Sequence, residues 1–78
     1  MEVKLPDLGE DAQDTAKVSF WYYDVGERVE EGEDLVEMVT VKATFNIPAP
    51  ATGTLKEIRV GEGGEARVGD VLAVIEEE

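Results

Sequence analysis

Laid against itself with a shift of 37 residues, this 78-residue chain repeats its own pattern of glycines and apolar side chains. Gly26, Gly32, Leu35 and Met38 fall on Gly63, Gly69, Leu72 and Ile75 (63 − 26 = 37), and Val18, Trp21, Tyr23 and Val29 fall on Leu55, Ile58, Val60 and Ala66. Such a repeat restricts the fold more than any single motif, because each copy is a supersecondary unit too small to bury its apolar face alone. The two copies have to complete one another. The length excludes a second domain, so residues 1–78 read as a single domain.

Helical periodicity is weak, and Gly, Pro and Asp punctuate the chain as they do between short strands. Four runs carry strand-forming composition: Ala16 to Val25, Leu35 to Val41, Thr54 to Val60 and Val71 to Glu76. Strict alternation would put Val18 and Trp21 on opposite faces. Both halves share that odd step, so a bulge is expected to turn both residues inward, with Trp21 in the core. Upstream, Val3, Leu5 and Pro6 match Phe45, Ile47 and Pro48 at a shift of 45 − 3 = 42. The first half then carries about 42 − 37 = 5 extra residues, placed in the loop Gly9 to Asp14. The expected fold is all-β: a flattened barrel or sandwich of two four-stranded antiparallel sheets with pseudo-two-fold symmetry around one apolar interior.

The chain has neither cysteine nor histidine, which removes disulfides, thiol nucleophiles and the commonest general base at neutral pH. Nineteen acidic against seven basic residues give a net charge of −12, which repels nucleic acid and anionic lipid and favours basic protein partners. The carboxylates lack the spacing of a calcium loop, so no metal is expected. No signal-peptide core or membrane-length apolar run occurs, and a soluble, cytoplasmic protein is the default expectation. Gly26, Gly32, Gly53, Gly63 and Gly69 read as turn or bulge glycines, since none sits in the strand-loop-helix context of a phosphate cradle. No cluster of titratable side chains suggests an enzyme.

Lys42 is what remains. A β-hairpin from Met38 to Ile47 would hold it at the tip, and the repeat equates that hairpin with the gap between Ile75 and Val3. In a two-fold domain Lys42 therefore projects from the pole opposite both termini, as an attachment point should. The plain alternative is a solvated turn lysine. Val41 and Ala43 flank it with apolar side chains where turns favour Gly, Asn or Asp, which suggests a tip shaped to be read by an enzyme.

Several motifs point to one family. The chain opens with Lys4-Leu5-Pro6-Asp7-Leu8-Gly9-Glu10, and Trp21 is followed by Gly26-Glu27-Arg28-Val29 and Gly32. Glycines lie 42 − 26 = 16 residues before and 53 − 42 = 11 residues after Lys42, and Ile47-Pro48-Ala49-Pro50-Ala51-Thr52-Gly53 follows it. Along its whole length the sequence resembles lipoyl domains of 2-oxoacid dehydrogenase acyltransferases, within the biotinyl/lipoyl attachment family. It departs from the family signature of Glu, a small residue, Asp, Lys and Ala, for the corresponding residues are Val39, Thr40, Val41, Lys42 and Ala43.

The resemblance implies a non-catalytic carrier whose Lys42 holds lipoic acid as a swinging arm, moving acyl groups and electrons between the active sites of a 2-oxoacid dehydrogenase complex. It implies a lipoate-attaching enzyme, a 2-oxoacid decarboxylase, an acyltransferase core and dihydrolipoyl dehydrogenase as partners of a domain that is monomeric in isolation. Val39, Thr40, Val41, Ala43 and Thr44 become recognition residues, and the loop Gly9 to Asp14 is expected beside the lysine hairpin. Biotin is the alternative cargo, although biotin carriers place methionine on both sides of their lysine. An unmodified lipoyl-like interaction module is a further alternative, and a free-standing carrier and an excised domain both fit.

Overall fold

The computed structural model describes residues 1–6 and 15–78, and the expectation for Gly9 to Asp14 lies outside these residues. Regular structure among the described residues is all strand: β1 (Glu2–Lys4), β2 (Thr15–Trp21), β3 (Arg28–Val29), β4 (Asp34–Val39), β5 (Thr44–Pro48), β6 (Gly53–Ile58), β7 (Glu65–Arg67) and β8 (Val71–Glu77). They form two four-stranded antiparallel sheets, ordered β1-β8-β6-β3 and β5-β4-β2-β7. The sheets stay separate, so the fold is a flattened sandwich and not a closed barrel. Among the described residues no helix is long and apolar enough to cross a membrane.

The repeat maps one sheet onto the other strand for strand, β1 onto β5, β2 onto β6, β3 onto β7 and β4 onto β8. Each sheet takes two strands from each half of the chain, so the halves interleave. The expected bulge is present in both copies: register shifts between Val18 and Phe20 where β2 meets β4, and between Leu55 and Glu57 where β6 meets β8. A bulge adds one residue to one strand and rephases its side chains, which is how Val18 and Trp21 both turn inward. The indole N–H of Trp21 donates to the Val60 carbonyl at 2.9 Å, giving the buried ring the partner it needs.

The upstream shift of 42 is corrected by the ladders. Glu2, Val3 and Lys4 pair with Val74, Ala73 and Val71, and their symmetry mates are the pairs Asn46 with Glu37, Ile47 with Val36 and Pro48 with Asp34. Val3 therefore corresponds to Ile47, a shift of 47 − 3 = 44, and the first half carries 44 − 37 = 7 extra residues between Pro6 and Thr15. Side chains alternate with a period of two, so a two-residue error leaves every apolar position facing inward and goes unseen in the apolar pattern.

The interior is one apolar cluster drawn from both sheets, including Leu5, Val18, Trp21, Val29, Leu35, Met38, Leu55, Leu72 and Ile75. Among the described residues no polar or charged residue is buried with them. Backbone clasps tie the halves together in symmetric pairs: Gly26 N–H donates to the Leu55 carbonyl at 2.7 Å, and Gly63 N–H to the Val18 carbonyl at 2.8 Å. Both glycines hold positive φ, 97° and 85°, a conformation that side chains resist.

Candidate functional site

The hairpin of β4 and β5 forms as expected, with Met38 opposite Phe45 and Val39 opposite Thr44. Beyond that last pair the chain turns through Val41 and Lys42 alone, closed by the Thr40 N–H donating to the Ala43 carbonyl at 2.8 Å. Two-residue hairpins usually use positive φ and hence Gly, Asn or Asp. Neither Val41 nor Lys42 has it.

The Thr40 hydroxyl compensates. Its oxygen accepts from the Ala43 N–H at 3.1 Å and the Lys42 N–H at 3.3 Å, and it donates to the Ala43 carbonyl at 3.2 Å. One donor and two lone pairs are thus all engaged by the turn. The apolar flanks expected to serve an attaching enzyme are tolerated because the threonine side chain does the work of turn residues.

Lys42 and the five residues expected around it for recognition share this tip. Val39 and Thr40 are half-buried, while Val41, Lys42, Ala43 and Thr44 are exposed. Val41 is 78 % exposed, an unusual position for a valine. Beside the turn lies an open groove of about 350 Å³, lined by Thr15, Ala16 and Lys17 of β2, Val39, Thr40 and Val41, and Glu65 of β7. The contribution of β2 and β7 was not legible in the sequence, since it depends on the order of strands in the sheet. Among the described residues no group of carboxylates is arranged to hold a metal.

Strand β5 leads away from Lys42 and delivers the chain to Thr52, whose carbonyl accepts from the Glu78 N–H at 3.2 Å. The amino terminus is at the same place, its ammonium donating to the Ile75 carbonyl at 2.7 Å. Lys42 and the two chain ends thus occupy opposite poles, as the repeat requires.

Residues 1–75 match the family described as Biotin-requiring enzyme. The chain belongs to the biotinyl/lipoyl attachment family. Among its relatives are the dihydrolipoyllysine-residue acetyltransferase components of the pyruvate dehydrogenase complexes of Staphylococcus aureus and Staphylococcus epidermidis, each 37 % identical over 75 residues. Those residues are 96 % of this chain and 17 % of each relative, so the chain spans about a sixth of the relatives' length. Of solved structures, the lipoyl domain of the 2-oxoglutarate dehydrogenase complex from Azotobacter vinelandii superposes with a TM-score of 0.77 at 29 % identity, covering 97 % of this chain and 95 % of that one. The urea carboxylase of Kluyveromyces lactis gives 0.73 at 23 % identity over 97 % of this chain and 7 % of its own, a likeness of fold alone.

Proposed function

We propose that residues 1–78 form one lipoyl carrier domain, in which the Lys42 amine is joined by an amide to lipoic acid. The observation that carries this reading is a lysine at the tip of a two-residue turn locked by Thr40, at the pole opposite the chain ends. Lipoate is favoured over biotin because the relatives at 37 % and 29 % identity are acyltransferase and lipoyl domains, whereas the carboxylase shares only the fold.

The tip fits such a group: Lys42 is an exposed residue on a turn whose backbone is held by hydrogen bonds, and amide formation would remove its charge. The bound group supplies a dithiolane able to accept acyl groups or electrons. The domain's own residues supply presentation. Thr40 fixes the backbone of Lys42, Val39, Val41, Ala43 and Thr44 form the surface read by the attaching enzyme and the decarboxylase, and no catalytic group is contributed. Tethering through Lys42 replaces free diffusion by an effective concentration on the order of millimolar for short flexible links. The reading includes an acyltransferase core and dihydrolipoyl dehydrogenase as further partners, a cytoplasmic setting and a monomeric isolated domain.

Incubation with a lipoate-attaching enzyme, followed by intact-mass analysis of the wild type and Lys42→Arg, tests it. The expected result is one lipoyl addition to the wild type and none to the variant. No addition, or equal addition to both, overturns the reading, and a parallel incubation with a biotin-attaching enzyme and biotin is expected to leave the mass unchanged.

A further inference from the structure

The two-fold symmetry provides an internal comparison, because each outward position on one sheet has a counterpart on the other. Phe20 on β2 and Tyr22 just beyond its end are 47 % and 42 % exposed, and their rings meet edge to face with centroids 5.1 Å apart. Their counterparts 37 residues on are Glu57 and Arg59, which form an exposed ion pair at 3.0 Å. One sheet therefore carries the ordinary charged exterior, and the sheet bearing Lys42 carries two aromatic rings at the same positions. Solvent-facing strands need no such rings, and their enrichment at protein interfaces comes from large area with few torsions to fix.

The rings are also held in place. Tyr22 donates its hydroxyl to the Asn46 side-chain oxygen at 3.0 Å, and the Asn46 amide donates to Asp34 at 3.2 Å, across three strands of the sheet. Phe20 pairs with Glu37 on the neighbouring strand. Glu37 and Val39 point to the same face, so the patch continues toward the lysine tip. Asp34 and Glu37 set carboxylates beside the rings, with Lys17 opposite Val39 at the tip end, in a chain whose net charge is −12.

We infer that the outer face of the Lys42-bearing sheet, centred on Phe20 and Tyr22, docks the 2-oxoacid decarboxylase through an apolar recess edged by Lys or Arg on that partner. The inference rests on the function proposed above and adds a surface beyond the turn to it. Aromatic faces and carboxylates together favour cationic side chains, through ring quadrupole and charge. A partner gripping the sheet at this face has the Lys42 turn at the edge of the contact, where the same partner reads it.

The test exchanges one exterior for the other. The variant Phe20→Glu/Tyr22→Arg copies the ion pair of the opposite sheet, and Glu57→Phe/Arg59→Tyr places rings on the opposite sheet as a control. Both are lipoylated, then assayed for reductive acylation by the purified decarboxylase of a pyruvate dehydrogenase complex, with urea unfolding in parallel. The expected result is complete lipoylation of all forms and a kcat/KM lower by about tenfold in the first variant only, the scale of losing an interface anchor. Phe20→Lys, a single change, gives a loss in the same direction and serves if the double variant unfolds. Equal kcat/KM in all forms overturns the docking surface and leaves the carrier reading standing. A loss confined to the lipoylation step assigns the face to the attaching enzyme and overturns the stated partner. A lipoylated wild type that is not acylated overturns the decarboxylase as partner, and a wild type that cannot be lipoylated overturns both readings.

Discussion

Thr40 binds both the N–H and the carbonyl of Ala43 through its side chain, and the N–H of Lys42 as well, so one hydroxyl reinforces the backbone bond that closes the Lys42 turn. Thr40→Val keeps the shape and removes these bonds. The expected cost is about 1 kcal/mol in urea unfolding, the net worth of a typical hydrogen bond. Amide exchange at Lys42 and Ala43 should accelerate, and lipoylation should slow at unchanged enzyme concentration. Val41→Asp acts differently, since Val41 is 78 % exposed and supports nothing beneath it. It should leave unfolding within about 0.5 kcal/mol of wild type, as exposed substitutions do, while altering the rate of reductive acylation. Lys42 was legible because its position follows from the repeat. The role of Thr40 was partly legible, for threonine bonds its neighbouring backbone in many turns, but which partners it would choose depends on φ and ψ at Val41 and Lys42.

At the level of strands, the bulges and the close approach at the start of β6 carry the architecture. A methyl group added at Gly53 would collide with the backbone carbonyl of Glu76 on β8, an obstacle of main chain and not the movable tip of a side chain. Gly53→Ala is expected to cost about 1–3 kcal/mol, the range for overpacking. Gly61→Ala, with open space around the added methyl and no positive φ, should instead stabilise by about 0.4–1 kcal/mol through the unfolded chain. Urea unfolding of the pair checks the contrast in sign. The four longest runs, β2, β4, β6 and β8, the bulge after Val18 and the assignment of faces were legible, since they rest on apolar spacing repeated in two copies, whereas the short β3 and β7 carry too few residues to show a period. The pairing of β1 was not. Val3 on Phe45 and Val3 on Ile47 satisfy the same inward alternation, and only the ladder with β8 separates them. The groove beside the turn was hidden for a related reason: Glu65 reaches it because β7 pairs with the start of β2, a neighbour relation without a local signal.

The molecule as a whole combines an interior without buried charge, among its described residues, and an exterior of strongly unequal sign. Self-repulsion of a net −12 opposes compaction, and ions screen it over a length of about 8 Å at physiological strength. Thermal unfolding of the apo domain is therefore expected at higher temperature as sodium chloride is raised from low concentration. A flat or falling dependence would contradict this balance. One contribution runs the other way with pH. The hydrogen bond from Arg28 holds the Glu78 carboxyl below its usual range, so that bond stabilises the fold above that range and is lost as pH falls through the lowered value. Both groups are exposed, so the loss should be shallow, and Glu78→Gln should remove it from an acid titration of stability.

Because every sheet borrows two strands from each half, the stretch 43–78 has all the strand types of the fold and lacks only a mate. A peptide of that stretch alone would keep only the β6–β8 pair, with its edges open and β5 and β7 unpaired, and a second identical peptide would supply the missing neighbours. Sedimentation of the isolated peptide should find a homodimer with no folded monomer beneath it. The chain corresponds to such a pair joined end to end, with the junction between the two copies at the turn that carries Lys42.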